Sequence, residues 1–224
     1  MNNTNPQRLQ SALALAGALA VSAALPAHAQ SVLNTGKPTG GVVGADSIDS
    51  VDWMAESFTL TSKTTIDSIF TYVNSTAADE GLGFTVALYG SKGAAGSQVP
   101  SINFFANNQG QLAQFNATYT AGGGWTGQSG LNWTLDAGTY FVAIETDGSG
   151  VQGLVLPTGG LKTLPSALAF YTGGNGYDSD PAISTDAFGL QVNAVSAVPE
   201  PSTFAMMALP LALFGLFARR RDRA

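Results

Sequence analysis

Residues 139–146 show the most regular pattern in this sequence. Their side chains alternate with period two, with Tyr140, Val142 and Ile144 on one face and Phe141, Ala143 and Glu145 on the other. Alternating aromatic and β-branched residues are typical of a β-strand and do not match the 3.6-residue period of a helix. Since both faces are largely apolar, we predict that this segment is a central strand of a β-sandwich.

Shorter segments with the same alternation occur along most of the chain. They are residues 56–61, 66–73, 83–89, 102–105, 112–119, 131–135, 151–156, 167–171 and 187–195. Turn residues rich in Gly, Asn and Ser separate them, as in residues 90–93 and 107–110. About eight to ten short strands at this spacing, without a sustained helical pattern, predict an all-β fold. We expect an antiparallel, jelly-roll-like β-sandwich of two sheets.

The charge distribution limits the kinds of partner. Between residues 30 and 198 the chain has four lysines, no arginine and thirteen acids, a formal charge of −9. Charged residues are only 11% of the whole chain, which contains 27 glycines, and this composition fits a β-rich extracellular domain. An acidic body without arginine argues against nucleic acid and against anionic membranes as partners, because both bind to basic surfaces.

Two residue types that carry much of enzyme chemistry are nearly absent. The chain has no cysteine, which excludes a thiol nucleophile, a cysteine-ligated zinc and an iron–sulfur cluster. The one histidine is His28. If the N-terminal segment is removed, the rest of the chain has no Ser-His-Asp arrangement and no histidine-ligated metal.

Residues 1–29 follow the plan of a secretory signal peptide. Arg8 precedes an apolar run over residues 9–25, and the small residues Ala27 and Ala29 flank His28 in a cleavage pattern. We therefore predict an N-terminal signal helix that is cleaved after Ala29, which leaves Gln30 as the first residue. Retention of this segment as a membrane anchor is the alternative.

The C-terminal segment, residues 198–224, has three parts with different physical properties. Pro199, Glu200 and Pro201 are expected to be extended and exposed, because each proline fixes φ and lacks an N–H donor. A helix over the apolar residues 203–218 is about 24 Å long, which is marginal for a hydrocarbon core of about 30 Å. The basic cluster that follows favours the cytoplasmic side of a membrane: Arg219, Arg220, Arg221 and Arg223.

In this order, the Pro-Glu-Pro motif, the apolar run and the arginine cluster resemble the PEP-CTERM sorting domain of Gram-negative bacteria. The resemblance implies export, transient anchoring of the tail in the inner membrane, and recognition at the Pro-Glu-Pro motif by an exosortase, a membrane-bound cysteine transpeptidase-like enzyme. It also implies a final location at the cell surface or in the extracellular matrix, in association with exopolysaccharide and biofilm. An ordinary C-terminal anchor is the alternative. The resemblance covers only the tail and implies no activity for the body.

The sequence thus divides into four predicted regions. Residues 1–29 are the signal peptide, and residues 30–55 are a loose N-terminal arm in which Gly and Pro break regular structure. Residues 56–197 are the β-sandwich domain. Residues 198–224 are the sorting and anchor segment with its hydrophobic helix.

Acidic residues in loops are the candidate metal ligands. Asp178 and Asp180 lie in a Gly-rich segment, and Asp147 directly follows the strand-like residues 139–146. Hard oxygen ligands of this kind suit Ca²⁺, which takes about six to eight of them. Solvated turn aspartates are the alternative, because Asp stabilises turns through bonds to neighbouring backbone groups. We expect no other cofactor.

Tryptophan is the candidate residue type for contact with a glycan, since apolar sugar faces pack on aromatic rings. Trp125 follows three glycines and is expected to be exposed in a flexible loop, and Trp53 is a further candidate. Trp133 lies in an alternating segment and is expected in the core. For Trp125 the alternative is a plug that covers the edge of the core.

We expect the body to be non-enzymatic, as part of an exported surface or matrix protein. The first alternative is a carbohydrate-binding β-sandwich module that uses Trp125. The second is a glycan-active enzyme that uses paired carboxylates, for which Glu56 and Glu145 are the glutamates found in strand-like segments.

Overall fold

The alternating segments of the sequence form antiparallel strands in the computed structural model. It describes residues 29–39, 46–48, 52–74, 81–104, 110–119, 122–146, 154–174 and 176–195. All of these residues belong to the unit Ala29–Val195. The predicted signal helix and the predicted C-terminal hydrophobic helix lie outside the described residues.

The described residues form thirteen strands and one short helix. In chain order they are β1 (Gln30–Asn34), β2 (Asp46–Ile48), β3 (Asp52–Leu60), β4 (Thr64–Val73), β5 (Gly83–Lys92), β6 (Val99–Pro100), β7 (Gln111–Thr118), β8 (Gly124–Leu135), β9 (Gly138–Thr146), β10 (Leu154–Leu156), β11 (Leu168–Thr172), β12 (Asp178–Asp180), α1 (Ile183–Asp186) and β13 (Leu190–Ala194).

The strands are arranged in two main sheets. The small sheet has the order β1-β13-β4-β8, and the large sheet has the order β12-β11-β3-β9-β5 with β6 and β7 both paired to the far edge of β5. Strands β2 and β10 form a separate pair. Every strand pair among the described residues is antiparallel. The prediction of an all-β, antiparallel sandwich is confirmed.

The two sheets pack through their inner faces and form the main core. Every second residue of the central strands points into it, and all of the following are buried: Phe58 on β3, Val86 on β5, Ile144 on β9, Ile69 on β4 and Val192 on β13. Removal of these apolar faces from water is the main force that holds two sheets together.

A second core covers the outer face of the large sheet. Four alanines stand side by side in register across β11, β3, β9 and β5: Ala169, Ala55, Ala143 and Ala87. Each is 0% exposed, so other groups must cover them. Their small side chains leave room for Ile102 and Tyr177, which lie outside the central strands and pack into the same cluster. Strand β9 lies between β3 and β5 and is buried on both faces, which confirms it as a central strand.

The N-terminal region is more ordered than the sequence suggested. Residues 30–34, which were expected in a loose arm, form β1, and Val32 and Leu33 pack against the main core. Residues 46–48 form β2, and β3 begins at Asp52. Strand β1 has five residues, which give little periodic signal by themselves. Its order comes from pairing with β13, which lies more than 150 residues away in the chain.

Thr35 fastens the end of β1 to the start of β13. Its hydroxyl donates to the carbonyl of Phe188 at 3.0 Å and accepts the N–H of Leu190 at 2.7 Å. The backbone N–H of Thr35 also donates to the carbonyl of Leu190 at 3.0 Å. Because Thr35 is fully buried, these bonds are shielded from water.

The row of alanines generates a prediction about stability. Ala143→Leu is expected to lower the free energy of unfolding by about 1–3 kcal/mol, because the larger side chain has no space under Ile102 and Tyr177. Urea denaturation of the purified protein measures the change. Ala94→Leu, the same substitution at an exposed turn position, is the control and should change stability little. Equal effects at both positions would contradict a close-packed second core.

Candidate functional site

The residues expected to direct sorting lie mostly outside the described part of the chain. This applies to Pro199, Glu200 and Pro201, to the basic cluster Arg219, Arg220, Arg221 and Arg223, and to Ala27. Ala29 and Gln30 are described, and both are exposed. None of the helices in the described residues has the length and apolarity needed to cross a bilayer.

The two ends of the described body lie side by side. Gln30, the first residue of β1, pairs with Ala194, the last residue of β13. Beyond it, the N–H of Val195 still donates to the carbonyl of Thr65 at 2.9 Å. The body is therefore ordered up to Val195, and its first and last strands are neighbours in the small sheet.

Trp125 lies on the outer face of the small sheet. It is part of β8 and pairs with Tyr72 on β4, whereas the sequence suggested that it belongs to a flexible loop. The two rings meet edge to face, with centroids 5.6 Å apart and planes at 80°. Both side chains are half-buried, and Lys37 Nζ lies 5.1 Å from the centre of the Tyr72 ring. Trp125 is thus held by a neighbouring ring, and part of its surface remains open.

A second row of residues extends this outer face across all four strands. In order from β1 to β8 it is Asn34, Gln191, Phe70 and Gly127. A Cβ atom at position 127 would stand 2.0 Å from the carbonyl oxygen of Ile69, so only glycine fits there. Phe70 consequently has no side chain beside it on β8. We call the surface formed by Asn34, Phe70, Tyr72, Trp125 and Gln191 the aromatic–amide face.

The other two tryptophans lie elsewhere, so the three do not form one platform. Trp133 is half-buried against the main core, with its ring centre 6.1 Å from that of Phe115. Trp53 lies on the outer face of the large sheet and stacks on Tyr171 at 4.5 Å. Phe104 meets the Trp53 ring edge on at 5.2 Å. The rings around Trp53 pack mainly on one another. Together with Ile102 and Tyr177 they cover the second core, and we call this group of residues the lid.

Glu145 is the polar centre of that second core. Its Oε1 accepts hydrogen bonds from the hydroxyls of Tyr89 at 2.8 Å and Tyr177 at 2.6 Å. Glu145 is only 7% exposed. Burial raises the pKa of Glu145 above its ordinary value, and the two tyrosine bonds partly oppose that rise. Burial and the neighbouring carboxylate also raise the pKa of Tyr177. The arrangement fixes Tyr177, and with it the lid, over the alanine row.

Glu56 is buried in the main core, on the other side of the same sheet. Its Oε1 accepts the backbone N–H of Phe188 at 2.5 Å, and its Oε2 has no hydrogen-bond partner among the described residues. Burial raises the pKa of Glu56 well above its ordinary value, while the bond from Phe188 opposes the rise. A neutral carboxyl group is the form that this environment favours.

Glu56 and Glu145 do not form a facing pair. In the ladder between β3 and β9, Glu56 lies opposite Val142 and shares its face. Glu145 lies three positions further along β9, an odd number, and therefore projects from the other face. A glycosidase needs both carboxyl groups in one groove, about 5–9.5 Å apart, and these two are separated by the sheet itself.

The candidate calcium ligands do not gather in the described residues. Asp178 and Asp180 lie in β12, where Asp178 is exposed and Asp180 Oδ1 accepts the N–H of Ala182 at 2.7 Å. Asp147 lies outside the described residues. No group of three acidic or histidine side chains suited to a metal ion occurs in the part of the chain that the structure describes.

Sequence patterns could not predict most of these side-chain contacts. The pair of tyrosines on Glu145 comes from β5 and from the segment before β12, far apart in the chain. Tyr72 and Phe70 share a face with Trp125 only because β4 and β8 pair in one register. The one available signal was the alternation of Phe70 and Tyr72 with the buried Ile69 and Thr71.

Comparison with known proteins identifies one segment. A family model described as the PEP-CTERM protein-sorting motif matches residues 197–221. No curated protein and no solved structure matches the chain. The match covers the tail and does not extend into the β-sandwich.

The buried Glu56 generates a prediction about pH. As the pH rises above the ordinary carboxyl pKa of 4.5, the unfolded chain loses this proton before the folded protein does. Over that range the folded state is destabilised by up to about 1.4 kcal/mol per pH unit, until the raised pKa of the folded state is reached. Glu56→Gln keeps an acceptor for the Phe188 N–H and does not titrate. The variant is therefore expected to be more stable than the wild type at neutral pH and similar to it below pH 4.5.

Urea denaturation at several pH values measures this difference. Asp178→Asn, the corresponding acid-to-amide change at an exposed position, is the control and is expected to give no comparable gain at neutral pH. The assignment would be wrong if the Glu56→Gln variant and the wild type lost stability in parallel with rising pH.

Proposed function

We propose that this chain, which carries a PEP-CTERM protein-sorting motif, is exported and sorted by an exosortase, and that its β-sandwich is a non-enzymatic body delivered to the cell surface or extracellular matrix. The observation that carries this proposal is the match over residues 197–221, which begins three residues after the last strand of the described residues ends. The matrix location follows from the association of such tails with exopolysaccharide and biofilm.

The composition of the body supports a structural role. It contains no cysteine, and His28 is the one histidine of the chain. Its two strand glutamates, Glu56 and Glu145, are buried on opposite faces of the large sheet, and each accepts hydrogen bonds that hold the fold together. Both carboxyl groups therefore serve packing, and the role proposed for the body depends on its shape and its exposed faces.

Three physical properties of the tail suit a sorting signal. The prolines on both sides of Glu200 each fix φ and lack an N–H donor, which disfavours regular secondary structure at the motif. The apolar residues 203–218 are long enough to enter a bilayer but marginal for spanning it, and the arginines at 219–221 favour the cytoplasmic side. An anchor of this kind holds the protein at the membrane until the tail is cut.

The sorting proposal predicts a defined change at the C-terminus. In cells with the exosortase, the tail beyond the Pro-Glu-Pro motif should be absent from the mature protein. In cells without the enzyme, or with Glu200→Ala, the tail should be retained in the membrane fraction. Intact-mass measurement of the purified protein distinguishes the two forms. The same C-terminal mass with and without the enzyme would refute the proposal.

We also propose a second candidate function, binding of a neutral glycan on the aromatic–amide face. Trp125, Tyr72 and Phe70 offer partly open rings, on which the apolar faces of sugars can stack. Asn34 and Gln191 lie in the same row as Phe70 and offer amide groups for sugar hydroxyls. The body's formal charge of −9 disfavours a polyanionic glycan. This combination of rings and amides on one sheet face is the observation that favours the proposal.

Affinity electrophoresis tests the second function. A neutral matrix polysaccharide in the gel should retard the purified protein, and Trp125→Ala should weaken the interaction by about tenfold, equivalent to ~1.4 kcal/mol. Trp53→Ala, which removes the same ring from the opposite side of the sandwich, is the matched control and should bind like the wild type. Absence of retardation for the wild type, or equal losses in both variants, would rule out this face as a glycan site.

A further inference from the structure

One end of the sandwich brings together both ends of the described chain. Gln30 and Ala194 pair there, and Val195 is bonded to Thr65. The turn at residues 61–63, between β3 and β4, lies at the same end because Thr65 adjoins it. The turn at 136–137 lies there too, since Leu135 pairs with Thr64 and Gly138 pairs with Leu60. We call this surface the exit end: Gln30, Val195 and the turns 61–63 and 136–137.

The sorting motif begins only a few residues beyond the exit end. Val195 is still held to β4 by its 2.9 Å bond to Thr65. Pro199 follows four positions later, and a fully extended chain covers about 14 Å at most over that distance. An enzyme that recognises the Pro-Glu-Pro motif must therefore bring its recognition surface to within about 14 Å of the exit end, which leaves little room for the sandwich to stand apart from it.

The exit end is chemically unlike the rest of this acidic body. It contains a cleft of about 220 Å³ whose lining includes Gln30, Ser31, Thr61, Ser62 and Thr64, with no charged side chain in the lining. The two charged residues of its turns, Lys63 and Asp136, form an exposed ion pair at 3.7 Å. By contrast, Asp52 and Asp178 lie at the first positions of β3 and β12, toward the opposite end of the large sheet.

We propose that the exit end is the surface with which the body contacts the exosortase while the tail is processed. The inference rests on the proposed sorting function and adds the part of the body that takes part in it. A surface pressed against a membrane-embedded enzyme loses water, and hydroxyl and amide groups tolerate that loss far better than unpaired charges do. The uncharged cleft lining and the ion pair, whose charges cancel, fit such a contact. Residues 196–198 are too few to keep the enzyme far from the exit end, which favours a contact at this surface.

The test places charge on the exit end of the full-length protein. Thr61 and Ser62 are exposed, and no hydrogen bond of their side chains is found among the described residues. The double variant Thr61→Glu, Ser62→Glu is expected to slow conversion of precursor to mature protein by roughly threefold to tenfold in a pulse-chase experiment, because unpaired charges oppose the loss of water that the contact requires. The neutral double variant Thr61→Gln, Ser62→Gln is expected to be processed like the wild type.

Two further variants separate contact from general effects of charge. Thr118→Glu with Ser184→Glu adds the same charge at exposed positions away from the exit end and should leave processing unchanged. Insertion of about 12 Gly and Ser residues between Val195 and Ser196 adds up to about 40 Å of reach and should restore processing of the Thr61→Glu, Ser62→Glu variant. Protease resistance of each full-length precursor verifies that it is folded.

The outcomes distinguish this inference from the function on which it rests. If the wild type keeps its tail whether or not the exosortase is present, the sorting proposal itself is wrong. If the wild type is processed and the Thr61→Glu, Ser62→Glu variant is processed at the same rate, the contact surface is wrong. Equal slowing by the Thr118→Glu, Ser184→Glu pair would also overturn it, since net charge would then explain the effect.

Discussion

The burial of β9 on both faces is the constraint on which the rest of the structure depends. Its Val142 and Ile144 face the main core, whereas Ala143 and Glu145 face the second core. A strand of this kind is stable only if something covers each side. The small sheet covers one side, and the lid that contains Ile102 and Tyr177 covers the other. The alanine row permits this, because larger residues would hold the lid away from the sheet.

Each core contains one buried carboxyl group, and each has a local structural task. Glu56 holds the backbone of Phe188, just before β13 begins, and Glu145 holds the two tyrosines of the lid. Both groups lie where burial disfavours ionisation, so their contribution to stability depends on pH in the same direction. Glu56 on β3 is bonded to the residue before Gly189 and β13, and Glu145 on β9 is bonded to Tyr177 before β12; no strand ladder among the described residues connects either of these pairs directly.

The sequence was sufficient for the fold class because strand periodicity is a local property. The alternation in residues 139–146 predicted β9 and its central position, and the turn signals predicted most of the other strands. Local sequence patterns were insufficient for β1 and for the position of Trp125, because both depend on partners far along the chain. Three glycines before Trp125 suggested a flexible loop, but pairing with β4 continues through Gly124 and orders the segment. The aromatic–amide face likewise appears only once the register of four strands is known, while the sorting motif is contiguous and could be recognised directly.

The position of β13 has a consequence for the order of folding. The last strand of the body does not lie at an edge but between β1 and β4, the first strand and one of the earliest hairpin strands. Strands β1 and β4 are therefore not joined until residues 190–194 pair with both of them. The pairing of β13 with β1 connects residues that lie at the two ends of the body's sequence. Chains whose native contacts are this distant in sequence fold slowly. If the chain is exported from its N-terminal end, this strand emerges just ahead of the tail, so a tail that is held in the membrane would keep the protein in place while β13 pairs with β1 and β4.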